Sequence, residues 1–136
     1  MSAELRRNFD QLSHAVDRLR EALAEPTTNS LIIDGTIQRF EFTIELYWKV
    51  MKRLLAFEGI EAQTPRETLQ HAYQAGWLSD ETAWLDMLRD RNQTSHTYNE
   101  ELARQIYDRI KLHFPELERT LPMLARRLPG RASPTG

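Results

Sequence analysis

The sequence contains no cysteine. That excludes disulfides, thiolate metal sites and thiol nucleophiles, and it points to a reducing compartment. Nowhere do 18 apolar residues run together, and the opening Ser2-Ala3-Glu4-Leu5-Arg6-Arg7 is charged and amphipathic, unlike a signal peptide or a membrane span. The expectation is a cytoplasmic protein, neither exported nor inserted in a membrane. Glycine and proline are scarce, five and six in 136 residues, which argues against a fibrous or disordered chain. Lysine is scarcer still, 3 against 15 arginines, and arginine is the better residue for forked recognition of phosphate or carboxylate. Phosphate-cradling glycine loops, a Gly-x-Ser-x-Gly elbow and a His-Glu-x-x-His pair are absent, which removes the common NTPase, serine hydrolase and zinc protease readings. His14, His71 and His113 stand at no metal-ligand spacing, so neither a metal nor another cofactor is expected. A net charge of -2 and a pI near 6.1 argue against a protein that coats DNA or RNA through bulk positive charge, and leave room for a local basic cleft.

What the sequence does contain is helical periodicity. Leu5, Phe9, Leu12, Val16, Leu19 and Leu23 recur at steps of three and four, writing one apolar stripe on a first helix that ends near Glu25-Pro26. Ile37, Phe40, Ile44, Trp48, Met51 and Leu55 repeat the pattern on a long second helix, with Gly59 as its stop. Thr64-Pro65-Arg66-Glu67 reads as a capping box opening a third helix that runs to about Gly76. Ser79 and Asp80 can cap a fourth, and Thr97-Tyr98-Asn99-Glu100 reads as the box that opens a fifth after a break near Ser95 to Thr97. Pro115 and Pro122 are expected to kink or split that last helix. No segment alternates with period two. The expected fold is all-α, an up-and-down bundle of about five helices over residues 1–128, followed by a disordered tail at 129–136.

Two segments carry chemistry. Arg91-Asn92-Gln93-Thr94-Ser95-His96-Thr97-Tyr98 sets an Arg and a His with four residues between them, and a Tyr two further on. Such a set can cleave RNA without a metal. The unperturbed pKa of a histidine lies near neutrality, so His96 can take the proton of a ribose 2′-hydroxyl or give one to the leaving oxygen, and Arg91 can hold the phosphate. Five steps of ideal helix turn a side chain by about 140°, so the helix must end between the two residues, or a second subunit must complete the site. Spacing alone is weak support, because a chain with 15 Arg and 4 His in 136 positions yields about 0.4 such pairs by chance. Arg66, His71 and Tyr73 repeat the spacing inside the third helix. Either set reads equally as a solvated Arg, a hydrogen-bonded His and an interface Tyr. The second segment places Glu41, Glu45 and Lys49 on one face of the second helix beside Trp48, which is either an ordinary surface ladder or a strip that meets a partner protein or a nucleotide. Trp77 and Trp84 read as core or dimer-interface anchors.

The ordered set from Asp34 to Lys49, then Thr64-Pro65-Arg66-Glu67, Ala75-Gly76-Trp77, and Trp84 to Tyr98 resembles the nucleotidyltransferase substrate-binding family of the HEPN superfamily, related to the HepT toxins. The flanks of Arg91 and His96 match the family motif and those of Arg66 and His71 do not. The resemblance implies a homodimeric helical bundle with the Arg and His of both subunits in one shared cleft. It implies a metal-independent ribonuclease paired with, and neutralised by, a cognate minimal nucleotidyltransferase that adenylylates the motif tyrosine, here Tyr98. Arg91 and His96 are then the catalytic residues, Tyr98 the regulatory one, and Asn92, Ser95, Glu45 and Lys49 supporting residues of the cleft. RNA is the implied substrate, transfer RNA being one candidate. The family name implies a different job, a non-catalytic subunit that binds substrate or nucleotide for its nucleotidyltransferase.

Overall fold

A computed structural model describes residues 2–96 and 99–129. Five helices follow in the expected order: α1 (Ser2–Ala24), α2 (Ser30–Phe57), α3 (Pro65–Gln74), α4 (Glu81–Gln93) and α5 (Glu100–Ala125). A 3-10 turn, Thr94–His96, follows α4, and there is no strand among the described residues. Tyr98 and all but the first residue of the expected tail lie outside the described residues.

The apolar stripes face one another. Leu5, Leu12, Val16 and Leu19 of α1 meet Phe40, Tyr47, Met51 and Leu54 of α2, with Met87 of α4 and Ile106, Ile110 and Leu117 of α5 completing the core. The α1–α2 hairpin is the most extensive of these contacts. It is close because α2 turns small threonines inward: Thr36 and Thr43 are fully buried, and their hydroxyls donate to the carbonyls of Ile32 and Arg39, both at 2.7 Å. The polar atom is thereby satisfied without a bulky partner. Trp77 and Trp84 are core residues, 2% and 1% exposed.

The helix ends follow local chemistry. Asn29 caps α2 by accepting from the Leu31 amide at 2.8 Å, and Thr64 with Glu67 forms the expected capping box of α3. Gly59 and Gly76, at φ 81 and 83, close α2 and α3 in the left-handed region that disfavours a side chain. Two expectations for α5 need correction. Its cap is Asn99, whose side chain accepts from the Leu102 amide at 3.1 Å, not Thr97. Pro115 and Pro122 sit inside a continuous helix rather than splitting it. Both are exposed, as are Lys111 and Glu118, whose carbonyls they leave without an amide partner, and on a solvent-facing side a missing helical hydrogen bond is tolerated.

One polar knot lies in this core. The Glu116 carboxylate of α5, 3% exposed, accepts from Trp84 Nε1 at 3.2 Å, from Ser79 Oγ at 2.9 Å and from Arg119 Nη2 at 2.7 Å. Tyr47 packs edge-on against Trp84 with ring centroids 5.0 Å apart, and its hydroxyl donates to the Leu117 carbonyl at 2.5 Å. Burial pushes the Tyr47 phenol far above its usual range, so it stays a donor. Glu116→Ala would orphan the buried Trp84 N–H, and we expect urea unfolding to show a loss of about 1–3 kcal/mol. Exposed Arg119 returns to water and adds little.

Candidate functional site

The site is assembled where α4 ends against α2. Asp80 opens α4 by accepting from the Ala83 amide at 3.0 Å, and the helix runs to Gln93 before giving way to the 3-10 turn. The α-helix therefore ends between Arg91 and His96, one of the two conditions that the rotation argument left open. Thr94 makes this turn. It is buried, and its hydroxyl lies 2.7 Å from the Arg91 carbonyl and within hydrogen-bonding reach of the Glu41 carboxylate. The backbone of His96 closes the turn. The expectations for its imidazole and for Tyr98 fall outside what is described.

Arg91 points across to α2, where Nη2 lies 3.3 Å from Glu45 Oε1. Glu45 thus reaches over to α4 and Glu41 to the 3-10 turn that follows it, instead of forming a ladder with Lys49, which is exposed and makes no ion pair among the described residues. Asn92 and Ser95 are exposed beside Arg91. Trp48 is engaged elsewhere: its Nε1 donates to Thr68 Oγ1 at 3.2 Å and Lys52 lies over its ring. The Arg91–Glu45 pair is weak. Both side chains are more than a third exposed, 35% and 44%, and such pairs contribute about 0–1 kcal/mol. An incoming phosphate can displace Glu45 at little cost.

Next to Arg91, the carboxylate of Asp90 is 4% exposed and clamped by Arg109 of α5, whose Nε lies 3.0 Å from both oxygens and Nη2 2.9 Å from Oδ1. The hydrogen bond to Asp90 raises the Arg109 guanidinium above its ordinary range. Sequence reasoning missed Asp90, Thr94 and Arg109. Thr94 and Asp90 lie in or beside the motif, but nothing in the sequence marks Arg109 as the partner. The look-alike set differs. Arg66 and His71 sit within the single helix α3, which carries no break between them, so the two do not share a face.

The sequence model of a family described as nucleotidyltransferase substrate binding protein like matches residues 7–126. The chain belongs to that family. A crystal structure from Thermus thermophilus is similar at 34% identity and a TM-score of 0.78, covering 83% of this chain and 98% of that one. A Haemophilus influenzae structure, reported to reveal the fold of a substrate binding domain of a nucleotidyltransferase, is 30% identical with a TM-score of 0.67 over 92% of this chain and 99% of its own. The chain is also 38% identical over 84 residues to a protein of Haemophilus influenzae named probable ribonuclease HepT, an alignment spanning 58% of each. The matched region includes Arg91, Asp90, Glu45 and Arg109.

If the Asp90 clamp holds the end of α4, removing it must loosen the turn before it unfolds the bundle. We expect Asp90→Ala to speed amide hydrogen exchange across residues 91–96 by about tenfold, equivalent to ~1.4 kcal/mol of local opening, with α1 and α2 amides unchanged.

Proposed function

We propose that this chain is a HEPN-type, metal-independent ribonuclease of the toxin kind, working as a homodimer and held in check by a cognate minimal nucleotidyltransferase. The observation that carries the reading is the end of α4: a helix that stops between Arg91 and His96, with Arg91 half-exposed and only weakly paired. Similarity to a protein named probable ribonuclease HepT supports it. In the proposed reaction the ribose 2′-oxygen attacks the adjacent phosphorus and the bond from phosphorus to the 5′-oxygen breaks, leaving a 2′,3′-cyclic phosphate. His96 takes the 2′-hydroxyl proton, the partner's His96 protonates the leaving oxygen, and Arg91 offsets the charge that develops on the phosphate. Control would come from Tyr98, whose oxygen attacks the α-phosphate of ATP on the nucleotidyltransferase and releases pyrophosphate. The attached nucleotide is bulky and anionic, and beside the cleft it obstructs and repels RNA.

The second reading, a non-catalytic subunit that binds substrate or nucleotide for the nucleotidyltransferase, is favoured by the family's own description and by the reported role of the Haemophilus fold. One experiment separates them: incubation of total RNA with the partner-free protein in excess chelator. On the ribonuclease reading, His96→Ala and Arg91→Ala lower cleavage by roughly 10²-fold or more, and His71→Ala cleaves like wild type. If protein shown by mass to carry no adenylyl group cleaves nothing in any form, the binding-subunit reading replaces it.

A further inference from the structure

One strip of α2 around from Glu41 and Glu45, a second surface remains unused by the ribonuclease reading. Gln38, Phe42 and Leu46 recur every four residues on that strip, turned from the Glu41–Glu45 face by the helical rotation of about 100° per residue. With α1 they enclose a groove of about 670 Å³, within the roughly 300–1,000 Å³ of small-molecule sites. Its lining chemistry is one-sided. Arg18 and His14 of α1, Arg39 of α2 and two amides, Gln11 and Gln38, face it, and no carboxylate does among the described residues, although the chain as a whole is net negative. Arg39 is pre-positioned, its Nη1 donating to the Arg18 carbonyl at 2.6 Å, which leaves its other donors free to turn outward. The side chains of Arg18 and His14 make no hydrogen bond or ion pair among the described residues. Phe42 completes the set with a ring 64% exposed. Gly35 also lines the groove, and a Cβ there would meet nothing within 4 Å.

Two guanidinium groups without a carboxylate select an anion, an exposed flat ring offers a stacking face, and amides can read the edge of a base. These three together fit a nucleotide. We propose that the α1–α2 groove binds a nucleotide of a single-stranded RNA whose chain continues over α2 to Arg91. The continuation to Arg91 rests on the ribonuclease reading; the groove's fit to a nucleotide does not. A second copy of this chain is a poorer occupant, because a two-fold contact centred on the groove brings two arginine-bearing linings together with no lining carboxylate to offset them.

The test uses fluorescence anisotropy of a labelled single-stranded oligoribonucleotide, with the full chain carrying His96→Ala to prevent cleavage, in chelator at low salt. Phe42→Ala is expected to weaken binding by roughly 5- to 100-fold, the usual effect of losing one stacked base, and Phe42→Tyr to leave it unchanged. Arg18→Glu is expected to weaken it and to flatten the salt dependence by about one phosphate contact. These side chains are exposed or at the groove wall, and circular dichroism checks that the variants remain helical. The proposal is overturned if no form binds RNA, if the groove variants bind like the parent, or if ATP binds and the oligonucleotide does not. It is equally overturned if Phe42→Ala turns a dimer into a monomer by light scattering, which would make the groove a subunit contact. Parent protein that binds RNA through the groove, in a chain that with His96 restored cleaves none, supports the proposal and sinks the ribonuclease reading. Cleavage that is indifferent to Phe42→Ala and Arg18→Glu does the reverse.

Discussion

The buried carboxylate of Glu116 organises the C-terminal half of this bundle. A charge inside an apolar core is tolerated only when nearly every lone pair is used, and Glu116 meets that condition through Trp84, Ser79 and Arg119. The consequence is positional. Trp84 can sit in the core with its N–H satisfied, Tyr47 can pack edge-on against it, and α4 is pinned to α5 near its first turn. The Asp90–Arg109 clamp pins the other end. α4 is thus a strut fixed to α5 at both ends, and Arg91 sits one residue past the second fixing point.

That arrangement explains how a weakly held side chain can still be well aimed. Arg91 is attached to solvent-facing Glu45 by a pair of little energetic weight, whereas the backbone that carries it is held by buried contacts: Asp90 on one side and Thr94 on the other. Orientation and occupancy are therefore separate quantities here. The direction of Arg91 is set by groups other than its own ion-pair partner, and its release needs only the displacement of one half-exposed carboxylate. A clamp made by Arg91 itself would have coupled the two and made ligand entry costly.

The helices were legible because each buries one face, and a period near 3.6 in the leucines of α1 or the aromatics of α2 has few other meanings. The Thr64–Glu67 box was legible for a similar reason, being a wholly local interaction. Local rules also misled. A proline normally breaks a helix, but Pro115 and Pro122 lie on the exposed side of α5 and the packing of Phe114, Leu117 and Leu124 carries the helix onward. The Glu41–Glu45–Lys49 spacing suggested a ladder along α2, and the carboxylates instead reach α4 and the 3-10 turn that follows it. What stayed hidden was long-range pairing. Nothing in one sequence links Asp90 to Arg109, or Ser79 to Glu116, because salt bridges across a bundle have no period. Arg91 itself emerged from its flanking residues rather than from its spacing to a histidine, which Arg66 shares.

Gly35 lies within α2, where glycine is about 0.5–1 kcal/mol less favourable than alanine, and its own geometry gives no reason for the choice, since an added methyl group would touch nothing. The position is thus a dial independent of the fold. Larger residues there would narrow the space between α1 and α2 step by step while the buried threonines beneath kept the two helices in register. Related chains sharing this bundle can therefore differ in what the groove admits through one side chain, without any adjustment of the core.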